Sequence, residues 1–321
     1  MVEDQRLRVV FFGTPAFAVP TLDALLASRH QVVAVVTQPD KPRGRGQKTS
    51  DAPVKARALA AAIPVLQPQT LKDPAFMTAF TVLNADIGVV AAYGKILSDA
   101  VLAVPRLGMI NVHASLLPRH RGAAPVHRAI IAGDSVTGVT IMKVVKALDA
   151  GPMMAEVRRA IEPNETSEDV ERDLSVLGAG LLVSTLNAIA EGSARETPQD
   201  DNAATYASRL TKEDGLIQWD WSAQRIHNLI RGLHPWPHAY TFLDGSRLIL
   251  RRSLVSSEPS SGMSGMPGTV AVAHGDQLRI TTGSGALDVI QIQAEGKRPM
   301  TAREFLAGHR LQPGRRFTSS P

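Results

Sequence analysis

The chain of 321 residues contains no cysteine. That excludes structural disulfides, a thiol nucleophile and a cysteine-ligated metal, and it fits a reducing compartment. Aromatic residues are scarce, with three Trp, three Tyr and eight Phe, so Ala, Val, Leu and Ile must supply most of the core. No apolar run approaches the ~20 residues that a membrane helix needs. The first residues, MVEDQR, are polar and acidic ahead of a short apolar run, which is not a signal peptide. These features read as a soluble, cytoplasmic chain with no membrane partner. Its length suits two domains.

Strong charge is also missing, since the net charge is only +5. It is unevenly placed, however. From Thr211 onward there are 13 Lys and Arg against 9 Asp and Glu, whereas the first 210 residues hold 22 against 21. A basic C-terminal part suits a polyanionic partner, and a plain solubility bias explains it equally well.

In the first half, short apolar runs alternate with segments of helical spacing. Residues 7–12 (LRVVFF) form a near-continuous apolar run, as in a strand buried on both faces. Strands are also expected at 31–37, 87–92, 108–113 and 137–144, with helices at 18–28 and 53–62. Such alternation implies βαβ units and a mostly parallel sheet. A long amphipathic helix follows, opened by the capping pair Thr166 and Asp169 and stopped at Gly192. Residues 193–208 lack apolar periodicity and read as a linker between a domain at 1–192 and another at 209–321. Past Thr211 the pattern turns to short strands with hairpin signals at Asp244-Gly245 and Gly275-Asp276, which suggests a small barrel. A helix is expected at 222–233, and Thr301 with Glu304 caps a last one. Residues 256–268 read as a flexible insertion.

The chemistry concentrates in two places. Asn111 and His113 stand two apart on an expected strand, so both point to one side of the sheet at the end where α/β ligands usually bind. An amide can donate to a developing oxyanion, and an imidazole can do the same or carry a proton. Taken alone, Asn-x-His is more often an ordinary strand end, with the His satisfied by a backbone carbonyl. Asp149, just before Gly151, is by itself more often a turn residue than a catalytic one. Gln47, not Gly, stands directly before Lys48, so the basic loop after residue 38 fails the phosphate-loop pattern. Residues 13–15 (GTP) likewise argue against a dinucleotide site. The other His residues show no ligand spacing, so no metal is expected.

Together the runs Asn111-Val112-His113-Ala114-Ser115-Leu116-Leu117-Pro118-Arg119, Gly122-Ala123-Ala124-Pro125 and Leu148-Asp149-Ala150-Gly151 resemble the signature of the folate-dependent formyltransferases. The resemblance runs from Leu7 to about Arg310. It implies a Rossmann-like catalytic domain followed by a small β-barrel domain of OB-like type. It implies Asn111, His113 and Asp149 as the catalytic set, with Asp149 favouring the imidazolium and able to take the amine proton. It implies 10-formyltetrahydrofolate as formyl donor, held by Ser115, Leu116, Leu117 and Pro118 and by a wall of Tyr93, Ile96 and Leu97. Segments 205–213, 217–219, 235–237 and 296–298 look like those of the branch whose acceptor is methionine on charged initiator tRNA, acting as a monomer. In that branch Lys41, Arg43, Arg45, Lys48 and Arg209 would contact RNA. A sugar or nucleotide amine is the other acceptor the catalytic domain would suit. Two positions depart from the family pattern: His120 replaces a Trp, and Pro152 replaces an Asp.

Overall fold

The computed structural model describes residues 6–40, 42–43, 48–49, 51–257 and 266–321. Contacts divide the chain into two compact units whose segments interleave in sequence. The first takes residues 1–125, 137–159 and 171–207; the second takes 126–136, 160–170 and 208–321.

The first unit is built on a seven-stranded sheet, ordered Met153–Ala160, Val136–Lys143, Met109–His113, Ile87–Ala91, Arg8–Gly13, Gln31–Val36, Val65–Leu66. The last five run parallel to one another. Arg8–Gly13 sits centrally, and Val9, Val10, Phe11 and Phe12 are fully buried, as a run apolar on both faces requires. One face carries a core of Val10, Phe12, Val36, Phe80, Tyr93 and Val101. There Phe12 meets the edges of Phe80 at 5.7 Å and Tyr93 at 5.3 Å, the geometry that ring quadrupoles favour.

Val136–Lys143 pairs antiparallel with Met109–His113, opposing Asn111 to Met142 and His113 to Thr140. Alternating runs alone do not reveal this reversal. The neighbouring strand Met153–Ala160 was not expected either. Its outward side chains, among them Glu156 and Arg158, break the apolar signal on this edge.

The helix Ser167–Ala190 corrects the reading that no apolar run reaches membrane length. It is long and apolar enough to cross a bilayer by composition alone. It is instead a core helix: Leu174, Leu182 and Leu186 are fully buried. A Cβ on Gly178 would lie 2.9 Å from Val112 and 3.2 Å from Val139, so the helix lies directly on the sheet. The expected cap is present, with Asp169 Oδ2 accepting from Thr166 N at 3.1 Å and Thr166 Oγ1 accepting from Asp169 N at 3.4 Å.

The second unit is a small barrel-like β domain. Its antiparallel sheet runs Ala239–Leu243, Ser246–Val255, Ala286–Ala294, Gln277–Thr281, Val270–His274, and Met300–Thr301 adds to Ala286–Ala294. Both expected hairpins close, pairing Leu243 with Ser246 and His274 with Gln277. Asp244 and Gly245 take φ of 50° and 75°, as a two-residue turn joining twisted strands demands. The helix Ala223–Gly232 is capped by Ser222, whose Oγ accepts from Arg225 N at 3.3 Å, and it buries Ile226, Leu229 and Ile230. Gly232 allows close approach to Ile131, since its Cβ would stand 2.7 Å from that side chain. Thr301 and Glu304 form a reciprocal capping box on Ala302–Gly308.

Candidate active site

Asn111 and His113 lie at the C-terminal end of Met109–His113, where the parallel strands of an open sheet present ligands. Asn111 is half-buried and His113 is 5% exposed. The imidazole Nε2 lies 3.0 Å from the carbonyl oxygen of His120. A carbonyl only accepts, so Nε2 carries the hydrogen of that bond. The other ring nitrogen, Nδ1, faces Asp149 Oδ2 at 3.7 Å. That separation exceeds a hydrogen bond.

Asp149 reaches this position because its loop folds tightly. Its backbone takes φ 47°, a left-handed conformation that Asp tolerates better than most residues. Gly151 follows against Lys143, where any Cβ would stand 1.8 Å from the Lys143 carbonyl oxygen. Oδ2 of Asp149 also accepts a hydrogen bond from Gly122 N at 2.8 Å. One carboxylate oxygen thus ties two loops together while facing the imidazole.

Residues 115–122 form the opposite wall. Thr140 Oγ1 donates to the Ser115 carbonyl at 2.7 Å and accepts from Leu117 N at 3.2 Å, pinning the turn to the sheet. Ser115 Oγ donates to the Arg119 carbonyl at 2.7 Å, and His120 N donates to Thr205 Oγ1 at 2.8 Å. Thr140 and Thr205 were missed from sequence, where a threonine on a strand reads as a β-former.

The expected linker is part of this scaffold. Thr197 pairs with Met153, and Tyr206–Ala207 pairs in parallel with Arg121–Gly122. Gln199 Nε2 donates to the carbonyls of Asp149 at 2.8 Å and Gly151 at 2.7 Å. Arg121, only 3% exposed, donates to Gln199 Oε1 at 3.0 Å and to Asp201 Oδ1 at 2.7 Å. Segment 197–207 therefore clamps both loops. No periodicity marks it, because its contacts are polar and one-off.

Both departures contribute backbone groups to the site. His120 supplies the carbonyl that holds His113, and Pro152 supplies the carbonyl that accepts from Lys143 N at 2.9 Å. Neither contribution depends on the side chain.

The remaining expected site residues divide. Ser115 and Leu117 are buried within the turn, whereas Leu116 and Pro118 are half-buried. Tyr93 and Leu97 do not form a wall with Ile96. Both belong to the core, and Ile96 is 84% exposed. Burial pushes the Tyr93 phenol up to about 12. The physical reason is that the Tyr93 ring packs on Phe12 at 5.3 Å and its carbonyl is taken by Gln38 Nε2 at 2.7 Å, so the whole residue is buried. Lys41 and Arg45 lie outside the described residues. Arg43 and Lys48 are placed as backbone only, in the paired segments Pro42–Arg43 and Lys48–Thr49. Arg209, in the second unit, is exposed. Among the described residues, no three His, Asp or Glu side chains are grouped as metal ligands would be.

The family profile described as "Formyl transferase" matches residues 7–186, and "Formyl transferase, C-terminal domain" matches residues 209–310. A methionyl-tRNA formyltransferase of Sorangium cellulosum is 44% identical over 308 residues, covering 96% of this chain and 98% of that protein. One from Caldanaerobacter subterraneus is 46% identical over 313 residues, covering 96% and 99%. Among solved structures, an N-formyltransferase from Helicobacter canadensis in complex with folinic acid and dTDP-3-aminofucose superposes with TM-score 0.68. It shows 18% identity and covers 90% of this chain and 99% of that one. HypX from Aquifex aeolicus in complex with tetrahydrofolic acid gives TM-score 0.63 at 15% identity, covering 94% and 47%. At these identities the solved structures establish the shared fold.

Proposed function

The chain belongs to the formyl transferase family, and from that premise we propose that it formylates the α-amino group of methionine carried on charged initiator tRNA. The formyl donor is 10-formyltetrahydrofolate. The observation that carries this reading is the match of both domains, end to end, to relatives named for that acceptor at 44–46% identity. We place the enzyme in the cytoplasm, as a monomer with no membrane partner and no metal. Catalysis belongs to 1–192 with segment 193–208 bracing it, and acceptor binding to 209–321.

The geometry supports direct transfer. The acceptor amine adds to the formyl carbon, forming the new C–N bond and moving the carbonyl electron pair onto oxygen. In this reading the Asn111 amide donates to that oxyanion, and a proton on His113 Nδ1 does the same. Asp149 accepts the proton that the amine loses, directly or through water. Collapse restores the C=O bond and breaks the bond to the donor nitrogen, which takes up a proton, so charge and atoms balance. For the donor, the turn offers backbone groups together with Leu116 and Pro118. That is an edge of polar groups beside apolar surface, which fits a flat, polar-edged ring. Lys41, Arg43, Arg45, Lys48 and Arg209 are assigned to the RNA phosphates.

The test is incubation with 10-formyltetrahydrofolate and charged initiator tRNA, scoring N-formylmethionine after hydrolysis of the ester. A sugar-nucleotide amine serves as a parallel acceptor. Formylation of the sugar amine alone would overturn the assigned acceptor.

A further inference from the structure

A cavity of about 170 Å³ opens in the second unit, below the size usual for a cofactor pocket. Arg231, Arg251, Arg252, Thr166, His227 and Ser253 line it, and none of its lining residues is acidic. Arg231 is 7% exposed and donates to Asn228 Oδ1 at 3.0 Å and to the carbonyls of Glu162 and Glu165 at 3.3 and 3.2 Å, with the Glu165 carboxylate acting on it electrostatically. His227 Nε2 lies 3.0 Å from the Pro163 carbonyl, and Nδ1 lies 3.1 Å from Ser253 Oγ, which gives a neutral wall. Arg251 Nη1 donates to Gln293 Oε1 at 3.0 Å, but its Nε is buried without a hydrogen-bond partner. Arg252, also in the lining, is exposed. Three arginines around one hollow with no acidic residue in its wall suit an anionic occupant.

A second feature adjoins the cavity. Trp236 is 52% exposed on the loop between Leu233 and His238. The loop is held in place: the His234 carbonyl accepts from Ser167 Oγ, and His238 N donates to the Leu233 carbonyl at 3.0 Å. His238 Nε2 meets Arg251 Nη1 at 3.1 Å, which links this loop to the cavity wall. An exposed indole on an anchored loop beside a basic hollow is the pairing that binds a nucleotide, phosphate in the hollow and base on the ring.

We propose that the cavity is a phosphate subsite, that its occupant is a backbone phosphate of the RNA acceptor, and that Trp236 stacks a neighbouring base. The inference rests on the RNA acceptor named above. It assigns the grip to the second unit, independently of the basic loop at Lys41–Lys48.

The full-length protein tests it, with Arg251→Gln, Arg252→Gln and Trp236→Leu compared at matched melting temperature. Each arginine variant should raise the Kd for uncharged tRNA by about five- to tenfold at low salt. It should also reduce the slope of log K against log salt by about 0.9, the release of one counterion. The loss should fall in KM for charged tRNA. Trp236→Leu should weaken tRNA by about tenfold with the salt slope unchanged, and should leave inorganic phosphate binding, followed by phosphorus NMR, as in wild type. Folded Arg252→Gln with wild-type Kd and slope would overturn the proposal. So would a cavity that takes inorganic phosphate while tRNA affinity ignores all three substitutions, since the occupant would then be a free anion. Wild-type protein that binds tRNA with these dependences yet makes no N-formylmethionine would overturn the assigned reaction alone.

Discussion

His113 Nδ1 stands 3.7 Å from Asp149 Oδ2, and that same oxygen already accepts the amide of Gly122 at 2.8 Å. The carboxylate therefore has a mechanical task and an electrostatic one. Substitution can separate them. Asp149→Asn retains an oxygen for Gly122 N but removes the charge facing the imidazole. We expect kcat to fall about a hundredfold with the melting temperature nearly unchanged, whereas Asp149→Ala should lose both. Asn111→Ala should cost about a hundredfold or more in kcat, as expected for one oxyanion donor. Steady-state kinetics on folded proteins decide this, and wild-type turnover in Asp149→Asn would remove Asp149 from the reaction.

Two glycines give opposite expectations. At Gly151 a Cβ would meet the Lys143 carbonyl oxygen at 1.8 Å, so Gly151→Ala must displace the Asp149 loop. Destabilisation of about 1–3 kcal/mol is expected, together with reduced kcat. Gly180 lies inside Ser167–Ala190 with nothing within 4 Å of its Cβ position. There Ala should stabilise by about 0.5–1 kcal/mol. Denaturant midpoints of the two variants check both signs.

The basic loop is tested by salt. Neutralising Arg43 and Arg45 together should weaken tRNA binding and flatten its salt dependence, with donor affinity little changed. An unaltered slope would show that these cations face solvent only.

His127 provides a pH signature. Burial, aided by Arg128, pushes its imidazole down to about 4. Unfolded, the same group titrates near 6.5. Below that pH the unfolded chain binds a proton that the native chain refuses, so stability falls as pH drops from 6.5 toward 4. Above 6.5 no stability is lost through this group. His127→Gln should flatten that acid limb by no more than about 3 kcal/mol, read from melting temperature against pH.

Much of the fold was legible because single residues dictate it. The run 7–12 is apolar at every position and becomes the buried central strand. Asp244-Gly245 closes a hairpin because its residues accept positive φ. Asn111 and His113 were legible as a pair by strand alternation, and Asp149 only through its resemblance to a family pattern. What stayed hidden depends on partners distant in sequence. The reversed direction of Val136–Lys143, the core position of Tyr93 and the contacts of Gln199 are written in no local periodicity. The interleaving of the units is of the same kind. Residues 126–136 and 160–170 pack with 208–321, so cutting the chain at 208 removes their partners. A truncated 1–208 protein would keep Gly133 and Ile131 without Asn228 and Gly232 against them.

The clamp at 197–207 sets an order of events during synthesis. When the ribosome has released Ala160, every strand of the seven-stranded sheet exists, and Asn111, His113 and Asp149 have long been made. Gln199 and Thr205, which hold the loops that orient them, are still to come. Until they emerge, those loops are held by Thr140 and by the Gly122–Asp149 contact. The clamp thus arrives late, after every strand of the sheet and before residues 208–321 of the second unit.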